Sequence, residues 1–229
     1  VTITTGSDGT QAGDITLNAD LDFNGTGANT LSFIAHNDII LNNSILDSSA
    51  GGDTLNLVFT ADSDLSGSGN LVVGAAASVE TQGGSMQVTA RDVDIQGTLD
   101  AGVGDVTIAI AQTGTDQIQI GDAIFCPTCA MVITGLELQN ITAANLTVEN
   151  SGEAIYVDNI TSANSDNIGT VILQANGNIE FGRDELDEDY STFNALLAES
   201  DAELLVGERI TTDTGDLTLT ADADGSGDL

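Results

Sequence analysis

Three copies of one phrase, Ala-Asp-x-Asp-x-Asn/Ser-Gly, put oxygen atoms where a calcium loop would need them. They place Asp20, Asp22 and Asn24 before Gly25, then Asp62, Asp64 and Ser66 before Gly67, then Asp222, Asp224 and Ser226 before Gly227. Oxygens at the first, third and fifth positions with glycine at the sixth match the opening half of an EF-hand loop, and a hard cation needs about six to eight oxygens. The bidentate carboxylate of the twelfth position is missing. That position falls on Leu31 in the first copy and Val73 in the second, and the third copy stops short of it. The phrase is therefore not an EF-hand, and any calcium held here takes further ligands from a neighbouring segment. The same aspartates also fit a plainer pattern, in which Leu21 and Phe23 alternate inward along a strand while Asp20 and Asp22 face solvent. Val93 and Ile95 repeat that pattern between Asp92 and Asp94. Both readings stand at this level.

Cys126-Pro127-Thr128-Cys129 carries the only cysteines. A four-thiolate zinc site needs a second pair, and a thioredoxin-type redox site needs a βαβ setting. The spacing suits a local disulfide between Cys126 and Cys129 stapling a corner loop. Two reduced thiols are the next reading, and a redox or metal role the last. Enzyme chemistry finds little to use. His36 is the single histidine and has no evident nucleophile beside it. The cations are Arg91, Arg183 and Arg209, with no lysine, which leaves little for the base or clamp of a polysaccharide-active β-helix enzyme. Carboxylates are so numerous that no pair stands out for glycoside hydrolysis. The sequence reads as that of a protein that is not an enzyme.

The elements that must position these residues are short strands. Ile, Val, Leu and Thr alternate in runs such as Val106-Thr107-Ile108-Ala109-Ile110, punctuated by Gly, Asn, Asp and Ser. Gly13 to Gly25 and Gly215 to Gly227 are identical at eight of thirteen positions, and looser copies end at Ala35, Ala61, Ala90 and Ala175. A short unit returning every twenty to thirty residues or so indicates stacked rungs. The fold expected is all-β: a right-handed parallel β-helix, or β-solenoid, over residues 1–229 as one segment of a longer chain. Loops of uneven length leave its corners; a β-sandwich is the competing architecture. Residues 183–209 interrupt the pattern with an acidic run, Arg183 to Asp189. Phe193, Leu196 and Leu197 then follow at helical spacing behind Ser191, a plausible N-cap, predicting one short helical insertion near 184–205.

Thirty-six acidic residues against three arginines give a formal net charge of −33. Such a surface repels nucleic acid and anionic membranes, and suits divalent cations or high salt. No run of apolar residues is long enough to cross a bilayer as a helix. Asn-x-Ser/Thr sequons stand at Asn24, Asn42, Asn140, Asn145 and Asn159.

The Gly-Asp-Ile-Thr-Leu-x-Ala phrases with Gly and Asn turns resemble the β-helical shafts of filamentous-haemagglutinin-type bacterial exoproteins, exported by two-partner secretion, and related autotransporter passengers. The resemblance covers residues 13–180 and 211–229. It implies an extracellular, cell-surface shaft or fibre of a bacterial adhesin, with a host or cell-surface glycan or protein as partner. Unpaired terminal rungs imply end-to-end self-association. The alternative function is a calcium-dependent surface-layer or biofilm-matrix protein.

Overall fold

The computed structural model describes residues 1–6, 11–49, 53–111, 114–122, 126–182 and 190–225. Its regular structure is almost entirely β-strand, and the strand pairs described here are parallel. The chain divides into two compact units, residues 1–113 with 140–144, and residues 114–139 with 145–229.

The strands of the first unit are β1 (Thr2–Thr4), β2 (Ile15–Leu17), β3 (Leu21–Phe23), β4 (Ala28–Ile34), β5 (Ile39–Leu41), β6 (Ile45–Asp47), β7 (Thr54–Thr60), β8 (Asn70–Val73), β9 (Ser78–Glu80), β10 (Met86–Ala90), β11 (Asp92–Ile95), β12 (Thr98–Asp100) and β13 (Val106–Ile110). The chain visits three parallel ladders in rotation, because each strand from β1 to β10 pairs with the one three places on. β1, β4, β7, β10 and β13 form one ladder and β3, β6, β9 and β12 another, both within a single curled sheet, while β2, β5, β8 and β11 form a separate sheet. Alternation decides which residues face in: β7 reads half-buried, buried, half-buried along its whole length. In-register pairing then stacks like on like. Ile3, Phe33, Phe59, Val88 and Ile108 form one apolar column. Ile39, Leu71 and Val93 form another, and Val79, Leu99 and Ile141 a third. Ala35 and Ala61 directly follow β4 and β7, Ala90 ends β10, and none of the three has exposed surface.

The second unit contains β14 (Ile118–Gly121), β15 (Met131–Ile133), α1 (Gly135–Gln139), the 145–150 part of β16 (Ile141–Asn150), β17 (Ile155–Asp158), α2 (Ser162–Ser165), β18 (Ile168–Ala175), β19 (Ile179–Phe181), β20 (Tyr190–Phe193), β21 (Leu196–Ser200), β22 (Leu204–Val206), β23 (Arg209–Thr212) and β24 (Leu217–Ala221). One sheet runs β15-β14-β17-β19-β22, β18 and β24 flank β21 in a second ladder, and β20 pairs with β23. The two short helices stack with this last pair. The Asn164 amide donates to Gly135 O at 2.9 Å, and the Ser165 hydroxyl to Thr192 O at 2.9 Å. α1 begins with a capping box, in which Glu137 Oε2 accepts from both the N–H and the hydroxyl of Thr134 at 2.8 Å.

The helix predicted near 184–205 is corrected. Residues 183–189 lie outside the described residues, and from Tyr190 to Val206 the chain forms β20, β21 and β22. Phe193 ends one strand and Leu196 begins the next, with Asn194 and Ala195 turning the corner between them. Both apolar side chains are 1% exposed. A spacing of three across a corner thus imitates one turn of helix. The Asn194 amide fixes the corner by donating to Asp166 O at 3.1 Å and Ile168 O at 2.9 Å.

Candidate functional site

The three aspartate phrases do not occupy equivalent places. Asp20 sits at the corner between β2 and β3, exposed, its carboxylate accepting from the Ser44 N–H at 3.0 Å. Asp22 lies mid-strand in β3 and is exposed, as is Asn24. Asp62 instead follows β7, is fully buried and takes a left-handed φ of 53°. Its carboxylate closes its own loop, accepting from the Ser66 hydroxyl at 2.9 Å and the Gly67 N–H at 3.1 Å. Asp222 follows β24 with φ 52°. The Asp62 and Asp222 corners share one backbone pattern. Ser63 N donates to Ala35 O and Leu65 N to Asp62 O, as Ala223 N does to Ser200 O and Gly225 N to Asp222 O. Asp224 is exposed, and Ser226 lies outside the described residues. In the second phrase, then, the first carboxylate turns inward as a loop cap while Asp64 points to solvent.

Loss of water raises the Asp64 carboxyl. The Ser66 hydroxyl and N–H, together with His36, outweigh that and hold it below the usual carboxylate range. Ser66 therefore serves both aspartates. Ser66→Ala is expected to cost about 1 kcal/mol in urea unfolding. It should also move the Asp64 titration, followed by carboxyl-carbon NMR, to higher pH; an unmoved titration would assign the depression to other groups.

Cys126 and Cys129 are joined by a disulfide. The bridge spans a turn in which the Cys129 N–H donates to Cys126 O at 3.1 Å, with Pro127 at the position that favours its fixed φ. Cys126 packs on Ala154 and Tyr156.

Two further features lie outside the motifs singled out from the sequence. Asp47 is 2% exposed, and its carboxylate accepts from the Ser49 hydroxyl and N–H and from the Leu55 N–H. The Asp-x-Ser spacing of a self-bonding turn was its available signal. In the second unit, Glu149, Gln174, Glu199, Ser151, Asn176 and Asp201 line a groove of about 340 Å³. Gln174 and Glu199 are neighbours in register, and the amide donates to the carboxylate at 2.9 Å. Among the described residues no three His, Cys, Asp or Glu side chains converge as a metal cluster. Calcium also uses backbone and hydroxyl oxygens, so that criterion does not address it.

No protein-family model, no curated protein and no solved structure matches this chain. What the molecule itself offers is a stack of paired strands, a set of self-capped corners, an acidic groove and exposed apolar residues on its outermost strands. The first unit has a hollow of about 340 Å³ beside Ile3, Leu21, Phe23 and Leu31. In the second unit Leu205, Val206, Leu217 and Leu219 are each more than a third exposed.

Proposed function

We propose that this chain is a β-solenoid shaft segment of an extracellular bacterial surface adhesin of the filamentous-haemagglutinin type. The observation that carries the reading is the rotation of the first unit through three parallel ladders, each strand from β4 to β13 pairing in parallel with the one three places before it. Such a stack pairs backbone groups rung upon rung and lets corner loops vary without disturbing the core. Its role is mechanical: it holds binding regions, whose partner is a surface glycan or protein, away from the cell. The outermost strands keep unpaired edges beside apolar side chains, and a parallel edge accepts another parallel strand. End-to-end self-association follows, and because that contact is head-to-tail it yields open filaments. Purified chain at high concentration is expected to form filaments in negative-stain micrographs. A strictly monomeric chain would refute the assembly, and a small-angle scattering cross-section unlike a rod would refute the solenoid.

A second reading, a calcium-dependent surface-layer or matrix protein, is favoured by the groove holding Glu149, Glu199 and Asp201, which has no cationic side chain in its lining. Calcium bound only by the folded state would raise the melting temperature, and EDTA would reverse the rise. A melting curve that ignores both additions removes this reading and leaves the passive shaft.

A further inference from the structure

The Cys126–Cys129 bridge has a placement that a simple staple does not require. β15 is the edge strand of its sheet, held to β14 through Ile118↔Met131, Gln119↔Val132 and Ile120↔Ile133. Residues 126–130 lead into β15. The disulfide lies on that segment, and Cys129 stands two residues before β15. Ala130 and Met131 both donate to Gln117 O, at 3.0 and 3.3 Å.

The two sulfurs have different surroundings. Cys126 is 6% exposed, packs on Ala154 and Tyr156, and donates its N–H to the buried Gln119 Oε1 at 3.2 Å. Cys129 is half-buried and reaches solvent. Gln117 Oε1 lies 3.6 Å from Cys126 Sγ, where it can accept a hydrogen bond from a Cys126 thiol. The Gln117 amide is oriented for this by donating to the Tyr156 hydroxyl at 3.1 Å. The reduced state therefore has a partner already in position, while Cys126 stays anchored and Cys129 becomes the free end.

We propose that this disulfide is a redox latch on β15, opened by thiol exchange with a dithiol from solution. One thiolate of the dithiol attacks Sγ of Cys129, the S–S bond breaks, and the Cys126 sulfur leaves as a thiolate and takes up a proton. The second thiol of the reductant, deprotonated, resolves the mixed disulfide and releases Cys129, whose thiolate is protonated in turn. The protein gains two electrons and two protons, and the dithiol becomes a disulfide. β15 then detaches, while β14 keeps its other edge paired through Ile118↔Ile155 and Ile120↔Val157. The latch exposes the β14 edge under reducing conditions and covers it under oxidising ones. It does not depend on the shaft reading.

The test uses the full chain and dithiothreitol under native conditions, with alkylation mass spectrometry counting thiols and hydrogen exchange followed at Met131–Ile133. Reduction is expected to speed exchange in β15 by roughly tenfold or more, with β17 and β19 unchanged. The double variant Cys126→Ser/Cys129→Ser should show the fast rate with or without reductant. Two alkylated thiols with unchanged β15 exchange would overturn the proposal, as would a bridge that resists reduction until the unit unfolds.

Discussion

Phe59→Ala is expected to lower stability by about 3–5 kcal/mol, the range for a buried aromatic replaced by alanine in a core that cannot collapse around the gap. The ring is 1% exposed and lies in β7 between two neighbours of the same column, Phe33 below and Val88 above. It stacks on Phe33 with centroids 5.4 Å apart and planes inclined by 20°. In a stack of strands the backbone spacing is fixed by ladder hydrogen bonds at about 4.8 Å, so neighbouring strands cannot close in to fill the hole. The cavity term therefore adds to the transfer term. Phe23 is the control: it lies in β3, the last strand of its ladder, is half-buried and already borders a hollow. Phe23→Ala should cost well under half as much in the same urea titration. Equal costs at the two positions would mean that the stacked column does not carry the stability of the first unit.

How far the fold could be read from the chain follows from the same columns. Inward residues recur because each sits beside its counterpart in the parallel strand it pairs with. Of the alanines that end the repeated phrases, Ala35 and Ala61 directly follow a strand, and Ala90 and Ala175 are the last residues of theirs. Ala19, at the matching place in the Gly13 to Gly25 phrase, instead lies between β2 and β3. A three-residue strand such as Ile15-Thr16-Leu17 has too few side chains to name its sheet, and Leu217-Thr218-Leu219 uses nearly the same letters in a strand that continues to Ala221. The likeness of the phrases around Asp20 and Asp222 is therefore likeness of local alternation, and it does not extend to place.

The aspartates were legible in kind but not in direction. An Asp after an alternating strand can turn out or fold back on its own loop, and only the tertiary corner decides. At Asp62 the corner supplies the Ser66 and Gly67 donors. The helices were missed for a different reason. Thr134-x-x-Glu137 is a readable capping box, but α1 is little more than a turn and shows no apolar period. Conversely Phe193, Leu196 and Leu197 showed that period across a corner. Short elements are set by the turns next to them more than by their own pattern.

The same dependence on close backbone approach makes Gly121 the most sensitive glycine in the second unit. It ends β14, stands opposite Asp158 in β17 and has φ 107°. A Cβ built there would lie 1.8 Å from Asp158 O and 2.9 Å from Asp158 C. Those are backbone atoms of a paired strand, so no rotamer change relieves the contact; β14 and β17 must part. Gly121→Ala is expected to cost about 3 kcal/mol or more, since a left-handed conformation and a backbone collision are imposed together. Gly27 separates the two effects. Its φ is 75°, yet a Cβ there meets nothing within 4 Å, so Gly27→Ala carries the conformational cost alone. That cost is about 1–2 kcal/mol. Urea midpoints for the two variants, with hydrogen exchange at Ile118–Ile120, provide the comparison. A Gly121 variant that melts like the Gly27 variant, with β14 still protected, would show that the strands can separate locally without loss. A larger cost confined to Gly121 would show that backbone contact between paired strands, and not local backbone conformation, limits which residues these strand ends accept.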